Sequence, residues 1–131
     1  MLKVPSNLPA ELEDLIHQAI GCCIAVHRVL GAGLLEGIYT RAVCLELSAA
    51  QIAFDAEKVY PVKYREQLLC HQRLDLVVEN QLVLEIKSVE HFSPLHRAQI
   101  LNYMKVSGLR AGLLINFNVP VLQDGIKRFV L

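Results

Sequence analysis

The chain has 131 residues, 53% of them hydrophobic and 20% charged, a composition that excludes a disordered polar tail and predicts a packed core. At this length a single domain over residues 1–131 is expected, with too little chain for a catalytic domain plus a separate specificity domain. Lys and Arg number 13 against 13 Asp and Glu, so no overall basic excess points to nucleic acid.

The distribution of charge is less even than its sum. From Ser93 onward five basic residues (Arg97, Lys105, Arg110, Lys127, Arg128) stand against one acid, Asp124, and the earlier chain carries the matching acidic excess. A basic side beside an acidic cleft suits a metal-dependent phosphodiesterase. Glu11, Glu13 and Asp14 precede any apolar run, and Ala19 to Val26 is much shorter than the roughly 20 residues that span a bilayer, so neither a signal peptide nor a membrane span is expected. Cys22, Cys23, Cys44 and Cys70 form no CxxC pair, and the reading is buried reduced thiols in a cytoplasmic protein.

Along the chain, Asn7 is a candidate cap with Pro9 in the first turn of a helix from about Leu8 to Leu30, whose apolar residues recur at helical spacing. Gly31 and Gly33 supply the stop and the turn. A second helical pattern runs from near Gly33 to about Ala50, with Glu36 and Tyr39 on one face near its N-terminus. Ile52 to Tyr64 reads as a bent or edge strand because Pro61 interrupts it, and Arg65 with Glu66 as a turn. Gln67 to Glu79 and Leu82 to Ser88 are two more strands. Ser93 then caps a helix with Pro94 at its first position, carrying an apolar stripe of Leu95, Ala98, Leu101 and Met104 and ending near Gly108. Arg110 to Phe117 reads as a buried strand, and the tail after Val121 as a turn at Asp124 and Gly125 followed by a short strand. A helix between two strands implies a crossover and a mixed sheet.

Register in the hairpin from Arg73 to Lys87 follows from parity. Leu74, Leu76, Val78, Leu82, Leu84 and Ile86 all sit at even positions, and one sheet face gathers them only if paired residues sum to an even number. A two-residue loop at Asn80 and Gln81 gives an odd sum, so a three-residue or bulged connection is predicted. The same parity puts Asp75, Glu85 and Lys87 together on the opposite face. Charges in such an apolar segment are costly unless paired or bound to metal. Two carboxylates can hold a hard cation such as Mg²⁺, and Lys87 can orient or deprotonate a water or stabilise a charged transition state. The alternative is a buried structural ion pair with Arg73 assisting. For Glu36 the plainer reading is a solvent-facing charge at a helix start, and for Gln99 and Tyr103 an ordinary amphipathic face. Tyr39 can simply pack its ring while its hydroxyl finds a partner. His27, His71, His91 and His96 lack metal spacing and read as structural or surface residues.

Asp75 followed by Glu85-Ile86-Lys87 resembles the active-site signature of the PD-(D/E)XK nuclease superfamily. The segment from Gly33 to Tyr39, GLLEGIY, is similar to the GxxExxY motif of one family within it, and PLHRAQILNY, GLLINFNVP and DGIKRFV resemble later parts of that family. The resemblance implies an α/β (α+β) restriction-endonuclease-like core, a mixed four-stranded sheet flanked by helices. It further implies that Asp75, Glu85, the Ile86 carbonyl and Glu36 hold Mg²⁺ or Mn²⁺, that Lys87 is the catalytic lysine, and that Gln99 and Tyr103 border the site as a QxxxY element. The expected activity is hydrolysis of DNA phosphodiesters, a catalytically weak or inactive nucleic-acid-binding module being the alternative. A homodimer would suit cleavage of both strands, symmetry being only a prior.

Overall fold

The computed structural model describes residues 7–131. Helix α1 (Ala10–Leu30) starts at Pro9, which occupies the N-cap position with no side-chain cap, so Asn7 does not cap it. Glu11 and Glu13 lie in the first turn, where the helix dipole favours acids. Its inner face buries Leu12, Leu15, Ile16, Ala19, Cys23 and Val26, as the spacing predicts. Gly31 and Gly33, with φ of 69° and 98°, turn the chain, and this left-handed backbone delays helix α2 (Glu36–Ala49) beyond Gly33. Helix α2 buries only Tyr39, Val43 and Leu47, a narrow stripe four residues apart.

The remaining chain builds a five-stranded sheet in spatial order β1-β2-β3-β4-β5. Strands β1 (Phe54–Tyr64) and β2 (Gln67–Val78) form a long antiparallel hairpin, turned at Arg65 and Glu66 with φ of 51° and 67°, which suits a tight hairpin. As the sheet's edge, β1 tolerates Pro61, and its register shifts between Val62 and Lys63. Strand β3 (Leu82–Lys87) is antiparallel to β2 and parallel to β4 (Ala111–Asn116), the parallel pair being connected through helix α3 (Pro94–Ser107). The expected four strands gain a fifth from the tail, β5 (Ile126–Val130), antiparallel to β4, so that β4 is paired on both sides and buried throughout.

Helices α1 and α2 cover one sheet face, meeting Leu76, Val78, Leu82, Leu84, Ile86, Leu113 and Ile115. Helix α3 covers the other with Ile100 and Met104, against Leu74, Val77, Val83, Leu114 and Phe129. The predicted stripe of α3 is corrected in part: Met104 is buried and Leu101 packs against the cluster, but Leu95 and Ala98 are exposed and Ile100 takes their place. Gly112 sets the closeness of the α3 layer, since a Cβ there would lie 2.8 Å from the Met104 Sδ.

Pairs Leu76↔Leu84, Val77↔Val83 and Val78↔Leu82 give the even register that parity requires. Glu79, Asn80 and Gln81 form a three-residue connection, with φ of 51° at Glu79 and 55° at Asn80. Leu74 departs from the parity reading and packs on the α3 side. The break is local. The β1–β2 pairing passes from Ala56↔Leu76 to Lys58↔Leu74, and Glu57, opposite Asp75, has φ of 55°, which interrupts the pleat. The thiols also need correction: Cys22 and Cys23 are buried, but Cys44 is half-buried and Cys70 exposed, all four being free.

Candidate active site

The regular β2–β3 pairing ends at Leu76↔Leu84, and immediately beyond it side chains take over the backbone hydrogen bonds. The Asp75 amide donates to Glu85 Oε1 at 3.0 Å, and the Ile86 amide donates to Asp75 Oδ2 at 3.3 Å. Each carboxylate is therefore held by the strand opposite its own. The two acids face one another where the strands separate. Glu85 is buried, at 3% exposure, and Asp75 half-buried. Burial first, then the neighbouring Asp75 charge, pushes the Glu85 carboxyl up to about 8, while the Lys87 ammonium acts in the opposite direction. Among the described residues no salt bridge joins Lys87 or Arg73 to either acid; Arg73 instead lies 3.9 Å from the exposed Glu57. The geometry is that of two acids sharing a site and not of a neutralised ion pair with Arg73.

The segment from Gly33 to Tyr39 is fastened to the end of β3. The Tyr39 ring is fully buried and stacks on Phe117 with centroids 4.6 Å apart. Its hydroxyl donates to the Gly31 carbonyl at 2.6 Å and accepts from the Leu34 amide at 3.1 Å, closing the turn before α2. The Ser88 hydroxyl, next to Lys87, donates to the Leu34 carbonyl at 2.7 Å. These bonds fix the start of α2, where Glu36 is the first residue and exposed. Glu36 and Asp75 line a common cavity of about 630 Å³. Among the described residues no three His, Cys, Asp or Glu side chains are disposed to hold a metal ion together, so Glu36 shares the cavity with Asp75 without forming a cluster with the carboxylate pair.

From the opposite layer, burial and then the charges of Glu85 and Asp75 raise the Tyr103 phenol. Gln99, one turn earlier on α3, is half-buried, and its side chain makes no hydrogen bond among the described residues. The histidines serve structure where they have partners. His27 Nε2 lies 2.8 Å from the Val119 carbonyl, and His96 forms a reciprocal capping box with Ser93, while His71 and His91 are exposed.

Two supporting residues escaped the sequence reading. Ser88 is one. Asn116, buried at the end of β4, is the other: its amide donates to the Val89 carbonyl at 2.8 Å and its Oδ1 accepts from the Val89 and Asn118 amides, each at 3.1 Å. It thereby fixes the loop that leaves β3. A lone amide inside the apolar run LLINF was the available signal, because buried polar groups require partners.

Paired carboxylates backed by an ammonium form a hard oxygen-donor site suited to a divalent cation and a phosphate ester. No helix among the described residues is long and apolar enough to cross a membrane. The chain matches neither the curated proteins nor the solved structures compared with it. A family model does match, described as the PD-(D/E)XK nuclease superfamily, and it extends over residues 13–129. With that match spanning both layers of the fold and the Asp75–Glu85 site, the chain belongs to the PD-(D/E)XK nuclease superfamily.

Proposed function

We propose that the protein is a Mg²⁺-dependent nuclease that hydrolyses DNA phosphodiesters, of the GxxExxY kind within its superfamily, with Mn²⁺ as a substitute ion. The reciprocal hold of Asp75 and Glu85 on each other's strand carries this reading, because it places two carboxylates together at a cost that a cation would relieve. The donor set fits: each carboxylate retains an oxygen outside these two amide bonds, and the Ile86 backbone lies within hydrogen-bond reach of Asp75. Asp75 and Glu85 would hold the ion, with the Ile86 carbonyl as a third ligand and Glu36 joining through water. A bound divalent cation supplies charge neutralisation for the phosphoryl oxygens and a more acidic water.

The chain's own groups supply the rest. Lys87, whose charge is felt at Glu85, orients the attacking water or takes its proton and offsets negative charge as the P–O bond breaks. Gln99 and Tyr103 bound the site from α3 and position the water and the phosphate. The test incubates purified protein with supercoiled, linear, branched and single-stranded DNA and with RNA, in Mg²⁺ or Mn²⁺. Cleavage of DNA is expected, with at least about a hundredfold loss in Lys87→Ala, the scale of a positioned acid–base group, and a comparable loss in Asp75→Asn. Persistent cleavage in both variants would sink the residue assignment.

A further inference from the structure

The cavity of about 630 Å³ between α2 and β1 lies within the roughly 300–1,000 Å³ range of small-ligand sites and reaches Asp75. Besides Glu36 and Asp75, its walls are Gly37, Thr40, Arg41, Cys44 and Leu45 from α2, and Ala56 and Glu57 from β1. Gly37 is the informative residue. It is the second residue of α2, yet its φ is not left-handed and an added Cβ would meet nothing within 4 Å. Neither backbone geometry nor packing within the protein requires a glycine there. Its effect is to keep one wall of the cavity open. Arg41, one turn further along the same helix, is exposed and has neither a salt bridge nor a hydrogen bond among the described residues.

We infer that this cavity receives an unpaired nucleobase of single-stranded DNA, adjacent to the phosphodiester that reaches Asp75 and Glu85. The inference rests on the nuclease reading for its substrate class and extends it to strand state. The small residues Gly37, Ala56 and Cys44 offer a slot for a flat, apolar ring. Glu36 and Glu57 on the rim repel phosphate but can accept hydrogen bonds from amino and imino groups of bases. Among the described residues Arg41 is the one cation lining the cavity, able to stack on the base or grip the neighbouring phosphate with its planar fork. A base stacked inside a duplex cannot enter such a slot without first being unpaired and unstacked, at a cost of a few kcal/mol. Single-stranded, flapped or bulged segments avoid that cost.

The test measures binding by fluorescence anisotropy, in Ca²⁺, of a labelled single-stranded oligonucleotide and of the blunt duplex of the same sequence. The saved unstacking cost predicts that the single strand binds at least about tenfold more tightly than the duplex. Gly37→Leu fills the slot while favouring the helix, so the folded state is retained, with circular dichroism as the check. It should abolish the preference by weakening only the single strand, and Arg41→Ala should weaken it in the same direction. Equal affinity for the two forms, binding of neither, or a preference that survives Gly37→Leu would overturn the inference. DNA cleavage without strand preference would overturn this proposal and leave the nuclease reading standing. A preference sensitive to Gly37→Leu in a protein that cleaves nothing would support the slot and count against catalysis.

Discussion

Glu85 shows how one residue acquires properties that its type does not have. Most of its side chain is withdrawn from water and it faces Asp75, so its proton is held up to about pH 8 instead of leaving near 4.5. The sign of the consequence follows from linkage. A carboxyl with a raised folded-state value contributes stability that is complete below the unfolded value, near 4.5, and is lost as pH rises through about 8. In metal-free protein, urea unfolding should therefore show stability falling between those limits, and Glu85→Gln should flatten the slope. An equally steep slope in Glu85→Gln would place the titration elsewhere. The neighbouring Lys87 lowers the Glu85 value without cancelling the effect of burial.

At the scale of elements, the start of α2 is held to the end of β3 by a few short bonds. Tyr39→Phe keeps the stack on Phe117 but leaves the Gly31 carbonyl and the Leu34 amide without the phenol hydroxyl. Chemical denaturation should show a loss of about 1–3 kcal/mol; an unchanged midpoint would mean that water replaces the phenol at no cost. Ser88→Ala cuts the tether from β3 to the Leu34 carbonyl while leaving Asp75, Glu85 and Lys87 in place. If Ser88 positions the Glu36 side of the site, kcat should fall several-fold with KM little changed, and Ser88→Thr should restore it. A stability loss without that kinetic split would make the tether purely structural. Neither bond is legible from spacing, because Tyr39 meets Gly31 across a turn and Ser88 meets Leu34 across 54 residues.

At the scale of the whole molecule, the carboxylate pair of β2 and β3 lies where two layers and the sheet meet: Glu36 of α2 lines the cavity that reaches Asp75, and Tyr103 of α3 feels the charge of both acids. An ion that binds only this folded arrangement stabilises the entire chain by mass action. At a Mg²⁺ concentration a hundredfold above its dissociation constant the gain is about 2.7 kcal/mol, seen as a raised Tm in a thermal scan. Asp75→Asn should remove that Mg²⁺-dependent gain. A gain of the same size in Asp75→Asn would locate the ion at another site.

Much of the architecture was legible because periodicity is a local property. The helices, the edge position of β1 with its Pro61, the buried β4 and the even register around Leu76 and Leu84 all follow from the order of apolar and polar residues. That register alone put Asp75 opposite Glu85, and the resemblance of the motifs supplied the superfamily. Features that depend on contacts between distant segments were not legible. The Leu74 side chain changes face next to the point where Glu57, on the neighbouring strand, leaves the extended conformation. The stripe of α3 kept Met104 but took Ile100 in place of Leu95 and Ala98, because Gly112 lets the helix settle there against β4. By itself the sequence determined which residues could share a face. The tertiary structure decided which face met which, how deeply Glu85 was buried, and where a cavity remained open beside Asp75, since desolvation and packing are set by neighbours that lie far away along the chain.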